Sequence, residues 1–191
     1  MIPRFDRRVD REGVIRLGQE SMVSALGIAE FGHLANHEDY LGVIKSFSSD
    51  PEKDIIEYIE RDIANQALGN PDNHGRNTAL SQFPDGSISL STLFDFAPMR
   101  LADEGLLHST RWGAMRKRHL DTNPVWLDVF KSIYPDDEAA VVRLQLEIPR
   151  FAERLPSIRN DAQNLGIREE VINLAMANCN AVAERVLATA V

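Results

Sequence analysis

Apolar residues recur at helical spacing over most of this chain, and alternate over only a few short stretches. In His37 to Ser48 the residues Tyr40, Leu41, Ile44 and Phe47 share one helical face. A longer helix starts at Ser49-Asp50-Pro51, with Asp50 as N-cap and Pro51 at the first helical position. It runs to about Leu68 with Ile55, Ile56, Ile59, Ile63, Ala67 and Leu68 along one face, and Gly69 ends it. Thr78 to Phe83 and Ser87 to Leu93 read as two short strands around Pro84-Asp85-Gly86, a hairpin signal. A second hairpin-like pair is expected from Met1–Asp6 and Val14–Leu17 around Gly13, followed by a short helix over Gln19 to Gly27. The remainder reads as helical. Ala102 to Arg118 is the least periodic part, and Pro124 to Tyr134 is short and apolar. A helix opening at Asp136-Asp137-Glu138 carries Val141, Leu144, Ile148, Phe151 and Leu155 on one face, with Pro149 expected to kink or divide it. Arg168 to Ala188 is expected as one final helix with Val171, Leu174, Ala175, Val182 and Val186 inward.

Between the long helix and the first strand of the Asp85-Gly86 hairpin lies Gly69-Asn70-Pro71-Asp72-Asn73-His74-Gly75-Arg76-Asn77. After the hairpin comes Leu93-Phe94-Asp95-Phe96-Ala97-Pro98. Asp72 is followed by an Asn five residues on, and by Asp95 a further 18 residues along. Phosphoryl transfer needs a base for the acceptor hydroxyl and oxygen ligands for magnesium. Protein kinases draw them from Asp-x-x-x-x-Asn and a later Asp-Phe-Gly. Here the counterparts are Asp72 to Asn77 and Asp95-Phe96-Ala97. The hairpin carries the chain out from Asn77 and back to Asp95, which brings the two segments to one place. The competing reading is turn chemistry, since Asn-Pro-Asp-Asn side chains bond their own backbone. The two segments together, in order, favour the catalytic reading over that one.

Composition narrows the class. The chain has 191 residues, 43% hydrophobic and 26% charged, enough for one domain spanning residues 1–191 with a buried core. The net charge of −8 speaks against a general nucleic-acid-binding surface. The single cysteine, Cys179, allows no internal disulfide and is expected to be a buried thiol. No signal-peptide pattern or membrane-length apolar run is present, which gives a soluble cytoplasmic chain as the expectation.

Other residues invite a role. His74 stands two after Asp72, to contact phosphate or to brace the loop, with bracing favoured. Arg76 is a candidate for phosphate or for the loop carboxylate, and reads equally well as a solvated surface residue; Asn70 and Asp6 are candidates for orienting the loop. His33 and His37 are four apart but lack a third ligand, so they are read as a surface pair without a structural metal. Arg111, Arg116, Lys117, Arg118 and His119 are read as a charged helix face, and Trp112 and Trp126 as core or interface anchors.

With these residues in hand, the chain resembles the C-terminal part of HipA-family serine/threonine kinases, the toxins of bacterial toxin–antitoxin systems. Pro3-Arg4-Phe5-Asp6-Arg7 is similar to the family's Arg-Phe-Asp-Arg strand. Leu17-Gly18-Gln19-Glu20 with Ala25-Leu26-Gly27 is similar to the helix that follows it. Gly69 to Asn77 with Leu93 to Met99 is similar to the active-site pair and is the specific block. The resemblance implies a mainly α chain, the helical C-terminal lobe of a HipA/protein-kinase-like fold, with one or two small β-hairpins. It implies Asp72 as catalytic base, and Asn77 and Asp95 as ligands of Mg²⁺ on the ATP phosphates. It also implies a cytosolic protein substrate (aminoacyl-tRNA synthetases in the characterised cases) and a helix-turn-helix antitoxin partner.

The family's nucleotide-gripping lobe precedes the Arg-Phe-Asp-Arg strand, so that lobe is expected to be absent from this chain. No glycine-rich phosphate loop occurs in the sequence, and Phe31 to Asn36 replace the family's Lys-Tyr-Glu segment. Two functions therefore compete. One is Mg-ATP-dependent transfer to Ser or Thr, completed by a separate N-terminal lobe. The other is a non-catalytic family member that binds an antitoxin or a kinase partner. Transfer to a lipid or small-molecule hydroxyl is disfavoured by the acidic chain and the lack of a membrane-binding stretch. A lobe that packs on another exposes an apolar patch, which makes homodimerisation an expectation.

Overall fold

The computed structural model describes residues 4–30, 33, 35–99, 110–113 and 124–191. Its elements in chain order are β1 (Arg7–Asp10), β2 (Gly13–Arg16), β3 (Gly18–Ser21), α1 (Met22–Ala25), β4 (Ala35–Asn36), α2 (His37–Phe47) and α3 (Pro51–Leu68). Then come β5 (Ala79–Gln82), β6 (Ile88–Leu90), β7 (Thr110–Arg111), α4 (Trp126–Ile133) and α5 (Glu138–Arg154). A 3₁₀ turn, Leu155–Ser157, leads to α6 (Ile158–Asn164), α7 (Glu169–Ala175) and α8 (Cys179–Thr189). The fold is mainly α with small two- and three-stranded sheets.

Helix α3 is the axis of the molecule. Asp50 caps it by accepting from the Lys53 N–H at 3.3 Å, and Pro51 occupies its first turn. Gly69 ends it at φ 69°, a left-handed conformation that costs a side-chain-bearing residue energy. Ile55, Ile59 and Ile63 are fully buried, each contributing roughly 1.5–3 kcal/mol on burial. The helix packs against α2, α5 and α8.

The β5–β6 hairpin is clamped to the start of α3. The buried Asp54 carboxylate accepts from the Ser48 hydroxyl (2.6 Å) and the Leu90 N–H (2.8 Å). Ser49 donates its N–H to the Ile88 carbonyl (2.8 Å), and its hydroxyl accepts from the Ile88 N–H (2.9 Å). One turn or two further on, Arg61 donates to the Ser91 carbonyl at 2.6 Å. The segment leading to Asp95 is thus tied to the helix that leads to Asp72.

Several expectations are corrected. The first strand of the N-terminal hairpin is Arg7–Asp10, not Met1–Asp6; residues 4–6 are not strand, and 1–3 lie outside the described residues. The helix expected from Gln19 begins only at Met22, with Ser21 as its cap, because Gly18–Ser21 pairs antiparallel with β5. The Gln19 side chain donates to the Ser81 hydroxyl at 2.6 Å across that pair. Tertiary pairing has overridden local helix propensity.

Pro149 does not divide α5, which runs unbroken to Arg154; the buried Ile148 and Ala152 flank it. The expected last helix is two, α7 and α8, separated by Met176–Asn178. Ile172 is buried, whereas Leu174, expected inward, is 51% exposed. Thr110–Arg111 pairs in parallel with β4 instead of forming helix; 100–109 and 114–123, including Arg116 to His119, lie outside the described residues. Trp112 and Trp126 are buried and meet edge to face at 5.8 Å, as core anchors do. Cys179 is a free buried thiol whose pKa burial pushes up.

Candidate functional site

The loop after Gly69 is built on the last turns of α3. Asn70 donates its backbone N–H to the Asn65 carbonyl and its side-chain amide to the Asn65 side-chain oxygen, both at 2.8 Å. The Asn70 side-chain oxygen accepts from the Asp72 N–H at 3.3 Å. The Asn77 side-chain amide donates to the Asp72 carbonyl at 3.1 Å. Asp72 is therefore held on both sides of its Cα, and its carboxylate alone is left to act. The Asn77 N–H closes the turn on the His74 carbonyl at 2.9 Å.

Gly75 sits at the bottom of the loop, buried against Tyr40 of α2. A Cβ there would lie 2.3 Å from the Tyr40 hydroxyl oxygen and 2.4 Å from Cζ. No side chain fits without displacing the ring. The Gly75 carbonyl also accepts from the Val23 N–H at 3.3 Å, which joins the loop to α1.

Asp72, Asn77 and Asp95 line one pocket with Tyr58, Arg61, Asp62, Asn65, Asn70 and Phe94. The juxtaposition expected of the hairpin is thus present. Asp95 is exposed and has φ 53°, in the left-handed region that Asp and Asn tolerate better than other side-chain-bearing residues. The Asn77 amide nitrogen is committed to Asp72, which leaves its side-chain oxygen as the group available to a ligand. Among the described residues, no cluster of three or more His, Cys, Asp or Glu forms a metal site of protein ligands alone.

His74 and Arg76 do not line this pocket. His74 braces the loop: Nε2 lies 3.4 Å from an Asp72 carboxylate oxygen, and Nδ1 accepts from the Arg76 N–H at 3.3 Å. Arg76 reaches away to donate to the Glu30 carbonyl at 3.1 Å. It lines an adjacent open cleft with Arg4, Phe5, Asp6, Glu20 and Phe94, in which the Phe5 and Phe94 rings stack at 5.5 Å. Asp6 does not orient the loop. Hydrogen bonds from Arg4 (2.6 and 2.7 Å) and Arg7 (3.1 Å) occupy its carboxylate and hold its pKa well below the usual range.

The reading of His37 as a surface residue is overturned. It is buried, stacks on Trp112 at 4.5 Å, and lies 2.8 Å from the Tyr58 hydroxyl through Nδ1. Burial, then the nearby Asp62, Tyr40 and Glu38, push the Tyr58 pKa well up; its hydroxyl is assigned as donor to Nδ1 because Nε2 faces the Asp62 carboxylate. The His37 Nε2 then carries the hydrogen and faces Asp62 at 3.4 Å; this tautomer is assigned from its partners. Sequence reasoning also missed Asp62, Asn65 and Asn73. The signal was available, since Asp62 falls seven residues after Ile55, on the apolar stripe where a solvated carboxylate is out of place.

The family model described as HipA-like C-terminal domain matches residues 1–184. The chain belongs to this family. The HipA-like chain is also 28% identical over 101 residues to a protein of Sinorhizobium fredii (strain NBRC 101917 / NGR234) named "Putative kinase Y4mE". That match covers 50% of the chain and 24% of the relative. Among solved structures it is similar to the Shewanella oneidensis MR-1 toxin–antitoxin complex of HipA, HipB and operator DNA. The TM-score is 0.67 at 17% identity, over 98% of this chain and 48% of that one. The HipA-like chain therefore spans about half the solved chain it matches, and the likeness shows the mainly α fold of that part of HipA. No helix among the described residues is long and apolar enough to cross a membrane.

Proposed function

We propose that this HipA-like chain carries the base and metal-binding half of a site that transfers the γ-phosphoryl group of ATP to a protein serine or threonine. The observation that carries this reading is the convergence of Asp72, Asn77 and Asp95 on one pocket, although 18 residues separate the last two. In this reading the Asp72 carboxylate accepts the proton of the acceptor hydroxyl as its oxygen attacks the γ-phosphorus. The bond from that phosphorus to the bridging oxygen breaks and ADP leaves. Asn70 and Asn77 hold the backbone of Asp72, so the carboxylate needs little reorganisation to act.

The donor set fits magnesium, which takes one or two carboxylates and completes its shell with phosphate oxygens and water. Asp95 would supply the carboxylate and Asn77 the neutral oxygen. When bound, Mg²⁺ neutralises charge on the phosphates. The 191 residues contain no glycine-rich phosphate loop, so the grip on ATP is assigned to another polypeptide segment, in the same or a separate chain.

A helix-turn-helix antitoxin is proposed as partner because the solved relative is held in a complex with HipB and operator DNA. That complex stands in tension with the expectation of no direct nucleic-acid contact. The two are reconciled if DNA is contacted through the antitoxin and not through this acidic chain.

Calorimetric titration of Mg-ATP tests the reading. With the segment that grips ATP supplied, binding weakened by Asp95→Ala is the expected result. No binding at millimolar nucleotide, even with the remaining segment of a longer protein supplied, would refute it and favour a non-catalytic interaction module.

A further inference from the structure

Asp62 is 5% exposed, yet among the described residues four side-chain nitrogens converge on its carboxylate. Oδ1 accepts from the Asn73 side-chain amide at 3.0 Å and faces His37 Nε2 at 3.4 Å. Oδ2 accepts from Gln66 Nε2 and from Trp112 Nε1, both at 2.9 Å. Burying a carboxylate costs several kcal/mol unless such bonds offset it. Hydrogen bonds to a charged acceptor are also about twice as strong as neutral ones.

The origin of these donors matters more than their number. Gln66 is on the same helix. Asn73 belongs to the 70–77 loop and is the immediate neighbour of Asp72. Trp112 belongs to the segment that follows Asp95 and pairs with β4 through Thr110–Arg111. The same segment is fastened a second time, by the Gly113 N–H donating to the Glu38 carboxylate at 2.8 Å. His37, stacked on Trp112 and engaged by Tyr58, fills the space between α2, α3 and that segment. One buried carboxylate on α3 therefore holds the 70–77 loop through Asn73 and the 110–113 segment through Trp112.

We propose that Asp62 is the positioning residue of this site, fixing the Asp72 loop through Asn73 and the 110–113 segment through Trp112 against a single helix. Its relevance to catalysis rests on the phosphoryl-transfer reading above; the tie itself does not. The carboxylate is specifically required. An amide of the same shape offers one oxygen and one NH₂ group, whereas Asn73 and Trp112 donate to different carboxylate oxygens, so either rotamer leaves at least one segment unheld.

Amide hydrogen exchange on the intact protein, with unfolding midpoints measured alongside, tests the tie. Asn73→Ala removes the loop anchor without exposing or removing the charge. Exchange at Asp72, Arg76 and Asn77 is expected to rise about tenfold, as for loss of one hydrogen bond to a charged acceptor, while α3, α5 and α8 exchange as before. Trp112→Phe should release 110–113 instead. Asp62→Asn should release at least one of the two segments and Asp62→Ala both, and adding Asn73→Ala to Asp62→Ala should change the loop no further. In ATP turnover, Asn73→Ala should lower kcat and leave KM for ATP unchanged, a split that general destabilisation would not produce. Unchanged loop exchange in Asn73→Ala, a uniform rise throughout the core, or additive effects in the double variant would each overturn the proposal. Absence of turnover by the wild-type protein, with the exchange effects intact, would overturn the role given to Asp72 and not the anchoring by Asp62.

Discussion

Replacing Gly75 by alanine adds a single methyl group, yet the site leaves it no room. The new Cβ would lie 2.3 Å from the Tyr40 hydroxyl oxygen, 2.4 Å from Cζ and 2.9 Å from Cε1. Ordinary contacts between such atoms begin near 3.5 Å, so the loop and the ring must separate by about 1 Å. The ring has little freedom to yield, because Tyr40 is 2% exposed within the core. Its hydroxyl also bonds to Thr110 and to the Gly75 backbone. Overpacking costs about 1–3 kcal/mol, and losing a buried hydrogen bond adds about 1 kcal/mol. A penalty of roughly 2–4 kcal/mol corresponds to a fall in unfolding midpoint of about 5–15 °C for a chain of this size. Thermal and urea unfolding of Gly75→Ala, Tyr40→Leu and the double variant measure it. Tyr40→Leu is costly alone but removes the obstructing ring, so the double variant should be at least about 1 kcal/mol more stable than additivity predicts. A midpoint for Gly75→Ala within about 2 °C of wild type, or no coupling to Tyr40, would refute the reasoning.

Other consequences follow from single contacts. Asp54→Ala leaves the Leu90 N–H without its acceptor and should cost about 1–3 kcal/mol in urea unfolding, with increased exchange along β6. Gly69→Ala forces a side chain into the left-handed region at φ 69° and should cost about 1–2 kcal/mol, whereas Gly69→Asn should cost less. The pKa of Glu60 is raised by burial; Arg154 opposes the shift, and Glu57 and Glu147 reinforce it. The folded state therefore holds this proton more tightly than the unfolded chain, and stability from Glu60 is lost as pH rises through its folded pKa. Glu60→Gln should accordingly raise the unfolding midpoint at pH 8, and the gain should vanish below the ordinary carboxyl range.

The parts of this fold that were legible in sequence are those fixed by local chemistry. Asp50-Pro51 and Gly69 bound α3 where capping rules place its ends, and Asp137 begins α5 for the same reason. Asp85-Gly86 marks the hairpin, and the hairpin explains why Asp95 returns to Asp72. What was not legible depends on partners distant in sequence. Gly18–Ser21 is strand only because β5 lies beside it, 62 residues on from Gln19 to Ser81. His37 looked like half of a surface pair because the groups that bury it, Tyr58, Asp62 and Trp112, lie as many as 75 residues away. The loop residues Asp72 and Asn77 were recognisable as chemistry, whereas Asp62 and Asn65, which hold that loop, were hidden among the isoleucines of α3. Asn73 was passed over because its side chain reaches back to Asp62 on α3, a partner that the loop sequence does not reveal.

Phosphoryl transfer from labelled ATP tests the central claim most directly. Wild-type protein and Asp72→Ala, matched in unfolding midpoint, are incubated with Mg²⁺, γ-labelled ATP and cell protein as acceptor, with any remaining segment of a longer protein present. Asp72 is half-buried and, among the described residues, its carboxylate meets only the approach of His74, so the variant should keep its fold. The account predicts label on serine or threonine with the wild type and at least about a hundredfold less with Asp72→Ala, the scale of a lost general base. Equal labelling by the two proteins, or none by the wild type at saturating Mg-ATP, would contradict it.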